Sequence, residues 1–287
     1  MVQNLNPPVL ISGMHRSFTS VFTHWLHECN LNIGEEFADA SSENPTGYWE
    51  DLEFVRLHDK VLASSGLDAM STRFETLVVA NQHIVEAKSI LESKSSSGES
   101  WGWKDPRTCI LYRVLWKKVL DKHYIIALYR PFTEVVNSLM IRMLNDSLQP
   151  SFYKSIINKY DILSRQLRTP DIQKMVYEGD LHNHFLKIWI IYNQSLLDIL
   201  DDPDNFSNSI VIKVDKHMDD AALLDFLKIK WGLSVKHRDF QEFWRKPHKS
   251  GRVNYIFDNE LLDTATLLLN DLEMRYHNSR SQIGDTD

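Results

Sequence analysis

The amino-acid sequence predicts an α/β fold, a central parallel sheet flanked by helices. Three observations carry this. Apolar runs at 8–12, 124–129 and 210–214 read as strands, the second buried on both faces. Each run is followed by apolar residues at helical spacing, so successive strands need crossovers and lie parallel. With 287 residues, 43% hydrophobic and 25% charged, the chain has an ordinary globular composition and length enough for one large core. No internal repeat or linker is evident, so 1–287 reads as a single domain.

The elements follow in order. Residues 8–12 form the first strand, 13–17 a tight polar loop, and 18–29 a helix on Val21, Trp25 and Leu26. Residues 34–49 read as a long loop broken by Asn44, Pro45, Thr46 and Gly47. A helix follows on Leu52, Val55, Leu57, Val61 and Leu62, and another over 72–91. The serine-rich stretch 92–100 reads as a flexible surface loop. Pro106 suits the first turn of a helix reaching about 120. After the strand at 124–129, helices are predicted over 132–143, 151–168 and 171–200. In the last of these Trp189, Tyr192 and Leu196 follow core spacing, and Tyr192 or Asn193 is the alternative lining of an acceptor pocket. Helices at 221–230 and 260–276 follow the strand at 210–214, and 278–287 reads as a frayed polar tail.

Charge narrows the function. Lys and Arg total 32 against 39 Asp and Glu, a net charge of −7. That argues against a nucleic-acid binder, which carries a basic excess, but permits a small basic pocket for one anion. Two cysteines, Cys29 and Cys109, make neither a disulfide framework nor a metal cluster. The expectation is a reduced, cytoplasmic protein. The first residues lack a basic n-region and a long apolar core, and no apolar run is long enough to span a bilayer. His24, His27 and Glu28 have helical spacing, but two further ligands are not apparent, so no metal is expected. His182 and His184 read as surface residues, and the N-x-Ser sequons at Asn145, Asn193 and Asn205 as chance matches.

Ligands of open parallel sheets sit at the carboxyl ends of the strands. Two loops qualify, after Ile11 and after Tyr129. From 13 to 20 the first reads Gly-Met-His-Arg-Ser-Phe-Thr-Ser. A polar loop entering a helix presents unpaired N–H groups and a positive dipole end, which favour phosphate or sulfate. Ser17, Thr19 and Ser20 add hydroxyls, and Arg16 a permanent charge; the alternative is a plain capped helix start. It is not a nucleoside-triphosphatase P-loop, because Phe18 and Thr19 stand where that motif has Gly and Lys.

This loop resembles the 5′-phosphosulfate loop of sulfotransferases that use 3′-phosphoadenosine 5′-phosphosulfate (PAPS). Three further segments resemble bacterial-type members, in family order. They are Asn44 to Asp51, with its Asn-Pro-x-Gly turn and Glu50; Trp103, Lys104, Asp105, Pro106 and Arg107; and Tyr129, Arg130 and Pro131 with Ser138 eight residues after the arginine. The matches cover about residues 8–140. One departure stands out: Phe18 occupies a position where the family usually has glycine.

The resemblance implies a P-loop NTPase-like sulfotransferase fold and in-line, metal-independent transfer of a sulfuryl group from PAPS to an acceptor hydroxyl or amine. The acceptor class is open: a small molecule, carbohydrate or lipid. Arg16, Ser17, Thr19 and Ser20 would hold the 5′-phosphosulfate, with His15 either donating to it or packing, and with Phe18 at the pocket wall. Arg130 and Ser138 would take the 3′-phosphate. Lys104 would reach the sulfuryl oxygens from the carboxyl end of a neighbouring strand unless it pairs with Asp105, and Arg107 is a further candidate for an anion contact. The family histidine base falls at Pro106 and is absent. Glu50 is the leading candidate base, ahead of Asp51, Glu36 and His58. The cationic loop 245–252, with Arg245 and Lys246, is loosely analogous to a loop that closes over the cofactor. The alternatives are a P-loop-type small-molecule kinase and a non-catalytic nucleotide-binding relative.

Overall fold

The computed structural model describes residues 6–37, 47–96, 98–147, 180–244 and 255–284. The sheet is built from β1 (Val9–Ser12), β2 (Gly102–Lys104), β3 (Tyr124–Tyr129) and β4 (Ser209–Lys213), in spatial order β2-β1-β3-β4. Every pairing is parallel: Leu10 lies opposite both Trp103 and Ile125, and Ala127 opposite Val211. The helices are α1 (Thr19–Glu28), α2 (Leu52–Ser64), α3 (Asn81–Ser95), α4 (Thr108–Leu111), α5 (Phe132–Ser147), α6 (Asp180–Leu200), α7 (Asp220–Trp231) and α8 (Asn259–Gly284).

Strand side chains alternate between the two faces of the sheet. Leu10, Ile125, Ala127, Tyr129 and Val211 face a core shared with α2, α5, α6 and α8. Val9, Ile11, Ile126, Leu128, Ile210 and Ile212 face a second core made by α1, α7 and Phe240. Both faces of the sheet are therefore covered, which is why β3 and the inner positions of β1 and β4 read as unbroken hydrophobic runs.

Several expectations need correction. A fourth strand, β2, lies where the residue pattern read as the approach to a helix and only the resemblance implied a strand ending at Lys104. Its three residues carry no period long enough to read, and parallel pairing with β1 makes it a strand. The helix expected over 72–91 begins only at Asn81; before it lies a 3₁₀ turn, Phe74–Thr76, and an extended stretch through Leu77. It then runs on to Ser95, into the expected flexible loop. There the hydroxyls of Ser95 and Ser96 donate back to the carbonyls of Glu92 and Ser93, and Ser95 is buried. The helix after Pro106 breaks into α4 and a 3₁₀ turn, Trp116–Lys118, which drives the Trp116 ring to 4.8 Å from that of Trp103. The expected frayed tail is helical as far as Gly284. Ser279 and Ile283 are buried there, and Ser279 Oγ accepts from the Val211 amide at 2.9 Å. The helix proposed over 151–168 and the 44–46 turn lie outside the described residues. Among the described residues no helix is long and apolar enough to cross a membrane.

Gly13 turns the chain out of β1 against the backbone of β3. A Cβ there would sit 2.3 Å from the Leu128 carbonyl oxygen. Gly13→Ala is therefore expected to lower the unfolding free energy by about 1–3 kcal/mol, the usual cost of overpacking. A urea melt of the two proteins checks this.

Candidate functional site

The site forms where β1, β2 and β3 deliver their carboxyl ends. The loop from β1 reaches α1 through two residues with left-handed backbone, Arg16 (φ 69°) and Phe18 (φ 61°). Phe18 is the N-cap residue of α1 and supplies no capping side chain, so no side chain of the helix's own cap occupies the first-turn N–H groups. Left-handed residues alternating with others are the backbone ingredient of anion-binding nests.

Two polar atoms in this loop are buried without a hydrogen-bond partner: Ser17 Oγ and His15 Nε2. Ser17 is 1% exposed. Native structures rarely leave such atoms unpaired, because an unsatisfied buried donor costs free energy. His15 is neutral there. Burial pushes its pKa down to about 3, with Arg107 and Lys104 adding to the fall and Asp105 opposing it. Its ring stands edge-on to Tyr192, 5.7 Å away. Tyr192 is fully buried and gives its hydroxyl to the Ala69 carbonyl, so it is a core residue.

Sequence-remote residues converge on the loop. Arg16 Nε donates to Ser138 Oγ at 2.9 Å. Arg130, at the end of β3, donates from one terminal nitrogen to the Arg16 carbonyl at 2.9 Å and from Nε to Glu134 at 2.9 Å. Its guanidinium lies 4.2 Å from the centre of the Phe18 ring, which packs 5.1 Å from that of Trp244. Thus Arg16, Phe18, Arg130 and Ser138 form one cluster.

On the other side of the loop, Lys104 is 1% exposed, and its ammonium lies 2.6 Å from Glu50 and 3.4 Å from Ser20 Oγ. The alternative pairing of Lys104 with Asp105 is not what forms. Adjacent residues leaving a strand point in opposite directions, and Asp105 turns inward. It accepts from the backbone amide and Nε of Arg107, each at 2.8 Å, and from Arg107 Nη2 at 2.5 Å. Its other oxygen neighbour is His58 Nδ1, at 2.8 Å. Burial alone would raise its pKa, but the Arg107 guanidinium, and then His58, hold the carboxyl well below the usual carboxylate range. Arg107 also pairs with Asp59.

This geometry sorts the candidate bases. Trp116 Nε1 donates to His58 Nε2 at 3.0 Å, and His58 is fully buried. An indole can only donate, so that lone pair is taken and the Nδ1 proton faces Asp105. The structure therefore places His58 in the framework under the loop and not beside it. Asp51 caps α2 by accepting from the Glu53 amide, and it pairs with Lys94 at 2.8 Å. The Glu36 side chain is exposed, 3.7 Å from Arg56. Only Glu50 is brought to the loop. Arg245 and Lys246 lie outside the described residues.

Residues that sequence reasoning missed are Asp105 as the hub of the Arg107 and His58 contacts, and Trp244 as the support of Phe18. The signals for Asp105 in the sequence were its place in the Trp103–Arg107 segment and its position beside Lys104, which suggested the wrong partner. His182, expected at the surface, is buried against Tyr255 and hydrogen-bonds the Ile256 carbonyl at 2.7 Å. Among the described residues no group of three or more His, Cys, Asp or Glu side chains is arranged to hold a metal. No family model, no curated protein and no solved structure matches the chain.

Asp105→Asn leaves the buried Arg107 charge without its main partner. The expected cost is about 3–5 kcal/mol, measured by urea unfolding at neutral pH. Because the folded carboxyl has the lower pKa, its contribution is present above the ordinary carboxylate value and lost as pH falls through the folded one. The gap between the two proteins should therefore narrow in strong acid.

Proposed function

We propose that the protein transfers a sulfuryl group from PAPS to an acceptor hydroxyl or amine. One observation carries the reading: an uncapped helix start with two orphaned buried polar atoms, Ser17 Oγ and His15 Nε2, sits between two basic clusters. One cluster is Arg16 with Arg130 and Ser138, and the other is Lys104 with Glu50. A donor with two separated anionic groups suits two such clusters, and the motif order of the sequence points the same way.

In this reading the loop amides, Ser17, Thr19 and Ser20 would hold the 5′-phosphosulfate, and Arg130 with Ser138 the 3′-phosphate. Arg gives a bidentate grip on an oxyanion. PAPS supplies an activated sulfuryl group whose bond to the 5′-phosphate oxygen breaks as the acceptor oxygen or nitrogen bonds to sulfur. The chain's own residues stabilise charge and move the proton. Lys104 and Arg16 place positive charge beside the loop, where charge develops on the leaving phosphate. Glu50 takes the acceptor proton. His15, kept neutral by burial, can donate one hydrogen bond without adding a charge.

The test is a binding titration with 3′-phosphoadenosine 5′-phosphate and with ATP. The first is expected to bind at least tenfold tighter, and Arg130→Ala to weaken it by about tenfold or more, in the range of a lost charged hydrogen bond. ATP binding equally well would favour the kinase alternative and sink the sulfotransferase reading. For the proton acceptor, Glu50→Gln is expected to cut sulfuryl turnover about 10²- to 10⁴-fold while affinity for 3′-phosphoadenosine 5′-phosphate changes little. Turnover at the wild-type rate would remove Glu50 from the role.

A further inference from the structure

Phe18 occupies a left-handed backbone position (φ 61°, ψ 18°) that glycine would adopt without cost. The ring makes no cap, and it is half-buried at the margin of the core that α1 and α7 share. It also touches Arg130. The guanidinium carbon lies 4.2 Å from the ring centre, within cation–π range. Trp244 backs the ring, 5.1 Å away. The guanidinium is further held by Nε on Glu134 and Nη1 on the Arg16 carbonyl. With the Phe18 ring against it and two donors anchored, the fork is held in place, and its remaining donors include those of Nη2.

We propose that Phe18 is a positioning residue for Arg130. Its ring holds the guanidinium in place so that the remaining N–H donors meet an incoming phosphate already oriented. An arginine side chain gives up rotamer freedom when it binds an anion. Holding it beforehand removes that cost from binding. The ligand chemistry is a phosphate monoester on the sugar of an adenine nucleotide, the 3′-phosphate in the reading above, on which this inference rests.

The experiment measures affinity by calorimetry on the full chain, with two probes: 3′-phosphoadenosine 5′-phosphate and adenosine 5′-monophosphate, which lacks the 3′-phosphate. Phe18→Leu and Phe18→Met keep a Cβ and an apolar side chain at the strained position but have no π face; Phe18→Tyr keeps the face. Phe18→Leu is expected to weaken 3′-phosphoadenosine 5′-phosphate by about tenfold and leave adenosine 5′-monophosphate unchanged, which also reports that the loop is folded. Phe18→Met serves in its place if Phe18→Leu fails to fold. Phe18→Tyr should restore wild-type affinity. In an Arg130→Ala background, Phe18→Leu should have no further effect. Equal losses for both probes would make Phe18 a general loop residue and overturn the inference, as would wild-type affinity in Phe18→Leu or a full loss on top of Arg130→Ala. A wild-type protein that fails to distinguish the two probes would instead overturn the sulfotransferase reading, and this inference with it.

Discussion

A carboxylate with no exposed surface holds the site side of the molecule together. Asp105 leaves the end of β2 and turns into the protein, where a lone charge would be prohibitively costly. It is retained because the backbone amide and side chain of Arg107, and His58 Nδ1, surround it. Those contacts tie β2 to α2, and His58 passes the connection on to Trp116, whose ring packs against Trp103 of β2. With Asp105 turned inward, its neighbour Lys104 must face the other way. The position of the Lys104 ammonium between Glu50 and Ser20 is thus a consequence of where a buried aspartate goes.

The loop after β1 stores strain. Besides Asn30, a residue type that tolerates it, the left-handed non-glycine residues among those described are Arg16, Phe18 and Trp49. Each costs roughly 1–2 kcal/mol relative to the ordinary backbone. Arg16 and Phe18 lie in the candidate phosphate loop, and Trp49 directly precedes Glu50. Strained residues persist where surrounding contacts over-determine them. Here those contacts are the Arg130 hydrogen bond to the Arg16 carbonyl, the Arg16 bond to Ser138, and the packing of Trp49 against His24 at 4.2 Å. The chain keeps costly conformations at the places where the proposed chemistry needs fixed donors.

Legibility in the sequence followed length and periodicity. The six-residue run of β3 announced a strand buried on both faces, and it is one. β2, with three residues, could not be read, because it becomes a strand only by pairing with β1. The 92–100 stretch shows composition misleading: serines read as loop formers, yet Ser95 and Ser96 bond back into the last turn of α3. In the site, the resemblance brought Arg130 and Ser138 to attention, and both adjoin the β1 loop. Pair partners were not legible. Which of Glu50 or Asp105 takes Lys104 depends on the direction in which each side chain leaves its backbone, and no local pattern encodes that. The sequence ranked Glu50 ahead of Asp51 and Glu36 but could not say where each side chain goes; the fold commits Asp51 to a helix cap and exposes Glu36.

The parallel sheet imposes an order of events on the growing chain. Val9 on β1 pairs with Gly102 on one side and Tyr124 on the other, while Ile125 of β3 must find Ser209 of β4. Among the described residues no strand of the sheet has a partner nearby in sequence, so each of its pairings must close a long loop first. β1 therefore emerges from synthesis as an apolar edge and stays unpaired until about ninety residues have followed it. A strand that waits in this way is exposed to association with other chains. The loop after β1 is attached directly to that strand and braced by Arg130 from beyond β3. It cannot be assembled until the centre of the sheet exists.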